Sequence, residues 1–186
     1  MEKKVNRRLF VAVEIPQHIK EELETICVHF TKRELFTGTC TSSENLHVTL
    51  KFLDSVSEDT IDKITESLKN IHANACKATL SGLGVLPTRR ITKILFADLD
   101  CFCLSILAKQ IEQELSWLLQ PEDRDFKNHI TIARVKNIED KELFLHAVDK
   151  FQVQALSFDV TAFVLKESVL TPDGPMYSTI ASYNLY

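Results

Sequence analysis

The sequence predicts an α+β fold whose sheets, antiparallel or mixed, are each backed by helices. Three observations carry the prediction: period-two runs that recur along the chain, amphipathic helical stretches between them, and strand-like runs that follow one another directly. Consecutive strands argue against a doubly wound parallel sheet, in which every strand needs a crossover helix. The chain has 186 residues, 45% of them hydrophobic, enough for a sizeable core and within the range of one domain over 1–186.

From Arg8 to Ile15 the chain alternates, with Leu9, Val11, Val13 and Ile15 on one side, and this defines a first strand. Pro16 stands where a helix start accepts proline, and Ile19, Leu23, Ile26 and Phe30 follow at helical spacing. Alternation resumes at Leu46, with Val48, Leu50 and Phe52 expected on its face and His47, Thr49 and Lys51 on the other. Ser57, Glu58 and Asp59 form a helix start, and the stripe Ile61, Ile64, Leu68 and Ile71 carries that helix to about Ala75. "KATLSGLGVLP" and "RITKILFADLD" are two strands joined near Pro87, with Gly82 and Gly84 marking a bulge or a close backbone approach. Leu104, Leu107, Ile111, Leu115 and Leu118 define a third helix closed by Gln120 and Pro121. "NHITIARV" is a strand, and a fourth helix carries Ile138, Leu143, Ala147 and Phe151. "QALSFDVTAFVLKESVL" and "MYSTIASYNLY" form a hairpin around "TPDGP". The order is roughly β-α-β-β-α-β-β-α-β-α-β-β, which reads as two related halves.

Formal charge is -4, so any handling of nucleic acid requires a local basic patch. Five cysteines are an odd number and none has C-x-x-C spacing. This favours a reduced, cytoplasmic chain with buried thiols over a disulfide framework or zinc site, and Cys101 and Cys103 are read as packing residues. Glu14 and Pro16 interrupt the N-terminal apolar run, which is read as a strand and not a signal peptide, and no stretch is long enough to span a membrane. His18, His29, His72 and His146 have no partners at ligand spacing, and no metalloprotease, phosphate-loop or dinucleotide motif occurs, so neither metal nor cofactor is expected.

The informative feature is a pattern that occurs twice, in "NLHVTLKF" (45–52) and "KNHITIAR" (127–134). A strand sends residues i and i+2 to the same face, so His47 points with Thr49, and His129 with Thr131. A template count expects roughly 0.1 such patterns by chance, so two of them point to function. Imidazole gives or takes a proton near neutrality, and two of them flanking one substrate serve as base and acid. Threonine hydroxyls beside them can donate to oxygens that carry charge in the transition state. The set suits a phosphodiester. Arg134 and Lys51 are candidate phosphate-binding cations. Arg89 and Arg90, with Lys93, form a basic cluster that could track an RNA backbone, and Phe52 and Tyr177 could stack on a base.

"RRLFVAVEIP", "ENLHVTLKFL", "SGLGVLP", "FKNHITIAR" and "LTPDGPMYSTIASYNL" together resemble the two-histidine phosphoesterase superfamily, in its LigT-like branch of RNA 2′,3′-cyclic phosphodiesterases, also named 2′-5′ RNA ligases. The resemblance implies a bilobal fold: two helix-backed sheets, interleaved in one domain and related by a pseudo-two-fold axis around a central cleft. It implies metal-independent hydrolysis of RNA 2′,3′-cyclic phosphate ends to 2′-phosphates, with reversible 2′-5′ ligation. His129 would then be the base that activates water, His47 the acid that protonates the departing 3′ oxygen, and Thr49 and Thr131 the phosphate ligands. The implied partner is RNA, an oligonucleotide or a nucleotide, bound by a monomer. Two other readings are an idle nucleotide-binding or anchoring module of the same fold and a 2′-5′ oligoadenylate phosphodiesterase. The chain departs from the family pattern at Asn128, where relatives commonly carry Pro, and at Asp54, where they carry Gly.

Overall fold

The computed structural model describes residues 6–87, 93–120, 126–172 and 174–186. In chain order the elements are β1 (Asn6–Glu14), α1 (Gln17–Lys32), β2 (Thr37–Cys40), a 3-10 turn (Ser43–Asn45), β3 (His47–Ser57), α2 (Glu58–Leu68), β4 (Cys76–Pro87), β5 (Lys93–Asp100), α3 (Phe102–Glu114), β6 (His129–Asn137), α4 (Lys141–Lys150), β7 (Ser157–Val160), β8 (Ala162–Thr171) and β9 (Gly174–Asn184). The expected order holds with one addition, although its strand before Leu46 falls at β2 (Thr37–Cys40), a stretch not singled out in the sequence. The run before the final turn breaks at Thr161 into β7, which pairs with β4, and β8, which pairs with β1.

The strands lie in the order β7-β4-β5-β6-β3-β1-β8-β9, with β2 also against β6, and every pairing among the described residues is antiparallel. The two expected sheets are halves of one curled sheet. They meet at its centre through a single pair, Val48 with Ile130, joining β3 to β6. The halves interleave: β4, from the first half of the chain, pairs with β5, and β8, from the second, pairs with β1. Helices cross over as well, α1 packing on β6 and α3 on β3.

One face of the sheet carries the core. Leu9, Val11, Val13 and Ile15 pack there with Ile19, Leu23, Ile26 and Phe30 of α1, as the alternation and helical spacing predict. Two helices differ from expectation. α2 stops at Leu68, seven residues early, where Lys69 and Asn70 close tight turns on Glu66 and Ser67. Asn70, His72 and Asn74 are weak helix formers, while Ile71 stays buried outside the helix. In α4 the Asp140 carboxylate accepts from the Leu143 N–H at 2.9 Å and fixes the start. The buried face is then Phe144 and Val148; Leu143 is exposed, and Ile138, Ala147 and Phe151 pack at the edge of the core.

A β-bulge in each central strand sets the site. On β3, Thr49 pairs with Ala12 and Lys51 with Val11, leaving Leu50 as the extra residue. On β6, Thr131 pairs with Phe96 and Ala133 with Leu95, leaving Ile132 extra. The fourth residue of each His-x-Thr-x motif is therefore the bulge, and β3 and β6 share one burial sequence over their first nine residues. Past the bulge the alternation changes phase. Lys51 turns to the helix side, 7% exposed, and Phe52 turns to the other face, 62% exposed, the reverse of the face assignment made from alternation.

Candidate active site

The face opposite the helices holds a cavity of about 520 Å³ lined by His47, Thr49, His129 and Thr131. Their convergence follows from the Val48–Ile130 pair. With these two side chains in the core, the residues flanking each must face the cavity, and antiparallel pairing sets His47 beside Thr131 and Thr49 beside His129. The histidines take diagonal corners of that square, roughly 8 Å apart at Cβ from strand spacings alone. A phosphorus atom over its centre has an imidazole on each side.

Both imidazoles are held in one tautomer by the backbone. A carbonyl only accepts, so Nδ1–H of His47 donates to the Asn45 carbonyl (2.7 Å) and Nδ1–H of His129 to the Lys127 carbonyl (2.8 Å). Nε2 of each is thereby left for chemistry, and that of His47 lies 2.8 Å from the Thr49 hydroxyl. Rings support both: His47 packs on Phe10 at 5.0 Å and Tyr177 at 5.4 Å, and His129 on Phe96 at 5.5 Å. Gly84 permits the last contact, because a Cβ there would collide with Cζ of the Phe96 ring. Asn45 is itself braced, its side chain donating to the Pro175 carbonyl at 2.8 Å.

Burial pushes the His47 imidazole down to about 4. The Asn45 carbonyl opposes that shift, Lys166 and His129 add to it, and Glu14 partly offsets it. At neutral pH His47 is therefore neutral while the cavity is empty. Lys166 is nearly buried and pairs with Glu14 at 2.6 Å.

The remaining expected residues divide. Arg134 lines the cavity from β6, as do Phe52 and Tyr177 from other strands. Tyr177 also packs against Phe10 at 4.9 Å, and burial raises its hydroxyl pKa, with Arg134 and Arg8 pulling the other way. Lys51 does not reach the cavity; Nζ pairs with Glu112 of α3 at 2.6 Å, and the bulge at Leu50 is the cause. Arg89 and Arg90 lie outside the described residues. Lys93, the third member of that cluster, opens β5.

Sequence reasoning missed several contributors. Arg8 lines the cavity, and alternation with Phe10 and Ala12 could have placed it there. Asn128 ties the second motif to the start of α3, donating to the Cys101 carbonyl at 2.6 Å and accepting from Ser105 at 3.2 Å. These bonds fix the approach to His129 at a position where the sequence departs from the family pattern. Asp54 adopts φ 55, a left-handed conformation that favours glycine. The cysteines are a further correction: Cys27 is bonded to Cys40 and Cys76 to Cys103, leaving Cys101 free and buried. Cysteine count and spacing could not reveal these pairs, because pairing depends on how the folded chain brings two thiols within bonding geometry. No described helix is long and apolar enough to cross a membrane.

Comparison with known proteins gives a consistent pattern. The profile of the "LigT like Phosphoesterase" family matches residues 13–95 and 104–177. An RNA 2′,3′-cyclic phosphodiesterase of Methanocaldococcus jannaschii is 30% identical over 177 residues, covering 95% of this chain and 99% of the relative. One of the same name from Archaeoglobus fulgidus is 31% identical, covering 93% and 97%. Among solved structures, one from Thermus thermophilus superposes with a TM-score of 0.74 at 27% identity, covering 95% of this chain and 97% of that one. E. coli LigT in apo form superposes at 0.72 with 21% identity, covering 97% and 98%, a likeness of fold.

Proposed function

The chain belongs to the LigT-like phosphoesterase family, and from that premise we propose that it is an RNA 2′,3′-cyclic phosphodiesterase that leaves the phosphate on the 2′ oxygen. The observation that carries this reading is the diagonal pair of tautomer-fixed imidazoles, each with a threonine hydroxyl, facing one cavity. A cyclic phosphate seated there meets a proton acceptor on one side and a donor on the other.

In the proposed step, His129 Nε2 takes a proton from water as its oxygen attacks phosphorus. The bond from phosphorus to the 3′ oxygen breaks, and His47 Nε2–H delivers its proton to that oxygen. Thr49 and Thr131 donate to the non-bridging oxygens, and Arg134 and Arg8 offset their charge. His47 must be protonated to act, and burial opposes this in the empty cavity. The anionic phosphate supplies the charge that restores the proton, so acid catalysis is coupled to substrate occupancy. A 5′ hydroxyl in place of water gives 2′-5′ ligation by the same displacement. Lys51, paired with Glu112, has no part in the step.

The test is incubation with an oligoribonucleotide ending in a 2′,3′-cyclic phosphate, followed by identification of the hydroxyl that retains phosphate. A 2′-phosphate is expected. A 3′-phosphate product would reverse the leaving group, and tight nucleotide binding with no turnover would favour a binding module.

A further inference from the structure

A second cavity, of about 280 Å³, shares no lining residue with the first. Cys76 and Cys103 line it, together with His72, Asn74 and Gln110. Cys76 begins β4, Cys101 stands at the cap position of α3, and Cys103 lies in the first turn of that helix. The three sulfurs all lie within 4.8 Å of one another. A disulfide joins Cys76 to Cys103, yet Cys101 Sγ sits 3.8 Å from Cys76 Sγ and 3.1 Å from Cys103 Sγ.

We propose that the reduced chain binds one thiophilic divalent cation of the zinc class through Cys76, Cys101 and Cys103. A disulfide needs two sulfurs, and a third held against both, at the start of the helix that carries Cys103, is the feature that a metal site uses. Tetrahedral thiolate coordination with bonds of about 2.3 Å sets sulfurs roughly 3.8 Å apart. The separation of Cys76 from Cys101 already fits, and Cys103 can move to that spacing once its bond to Cys76 opens. Two further observations favour a bound cation. The N-terminus of α3 lies at the cluster, where the N–H groups of Cys103 and Leu104 favour a Cys101 thiolate against the burial that raises its pKa overall. The Gln110 side-chain oxygen is buried without a hydrogen-bond partner and borders the same cavity.

Disulfide and metal are alternative states. A thiol reductant delivers two electrons and two protons to the Cys76–Cys103 bond, and the cation then displaces the thiol protons on binding. Loaded, the site would tie β4 to the start of α3 by a linkage resistant to reduction.

The full chain is reduced, freed of reductant under anaerobic conditions and titrated with Co²⁺, then Zn²⁺. One cobalt per chain with an intense sulfur-to-metal charge-transfer band is expected, bleached by one equivalent of zinc. Zinc should raise Tm of the reduced chain and leave that of the oxidised chain unchanged. Cys101→Ser should lower cobalt affinity at least tenfold while the oxidised variant keeps its Cys76–Cys103 bond, and the Cys27→Ser/Cys40→Ser variant should bind as the parent does. No charge-transfer band in the reduced parent, or a band unchanged by Cys101→Ser, would overturn the proposal; a disulfide with no metal-binding state would then be the cluster's whole function. Phosphodiesterase turnover after chelation is read separately and does not depend on the outcome.

Discussion

Filling the cavity with an anion should return a proton to His47. Burial lowers that imidazole from 6.5 to about 4, a displacement of roughly 3 kcal/mol. A single negative charge about 4 Å from an imidazolium, at an effective dielectric of about 20, contributes roughly 4 kcal/mol in the opposite sense. The two effects are of similar size, so an occupied cavity should bring His47 back to the neutral range. The assay is an NMR titration of the His47 ring from about pH 3 to about pH 8, with and without saturating sulfate, which stays anionic over that range. The midpoint should lie near 4 without sulfate and above about 6 with it, with proton uptake on binding in between. Stability has a matching sign. The folded pKa is depressed, so the unfolded chain takes the proton first, and stability falls by about 3 kcal/mol as pH drops from 6.5 to 4. His47→Gln should remove that component. A midpoint already near 6.5 in the empty protein, or one that sulfate does not move, would refute the reasoning.

The other predictions separate structural from catalytic roles. Lys51→Met should cost about 2 kcal/mol through loss of the Glu112 pair and leave KM within twofold, whereas Arg134→Ala should raise KM about tenfold with little loss of stability, by urea unfolding and steady-state kinetics. Gly84→Ala forces a methyl into the Phe96 ring and should cost about 1–3 kcal/mol while lowering kcat, since Phe96 supports His129. Cys27→Ser/Cys40→Ser should lower the stability of the oxidised chain by about 3 kcal/mol, from loop closure over a separation of 13 residues.

Much of the site was legible because the His-x-Thr part of each motif precedes its bulge. From His47 to Thr49 and from His129 to Thr131 strict alternation holds, and it correctly sends both side chains to one face. Lys51 and Phe52 come just past Leu50, and a bulge there has no local signature in a run of good strand formers. The extra residue becomes visible only when the partner strand is known, and it reverses the faces of Lys51 and Phe52 until a second extra residue, Leu53, restores the phase. Arg8 and Phe10 were masked differently: Leu9, Val11 and Val13 gave so clear a core face that the other face drew no attention. In α4 two apolar stripes compete, and the helix exposes Leu143 to bury Phe144 and Val148. Which stripe wins depends on the surface it meets, and sequence periodicity does not contain that surface. The carbonyls of Asn45 and Lys127 that fix the tautomers belong to the backbone, so no residue type announces them.

The account rests on two imidazoles acting together on one phosphorus without a metal. Single-turnover rates on a 2′,3′-cyclic phosphate end, measured in excess chelator for the parent, His47→Ala and His129→Ala, test it most directly. The parent should keep its full rate and each variant should lose at least about a thousandfold. A parent silenced by chelation and revived by a divalent ion, or either variant retaining most of its rate, would contradict it.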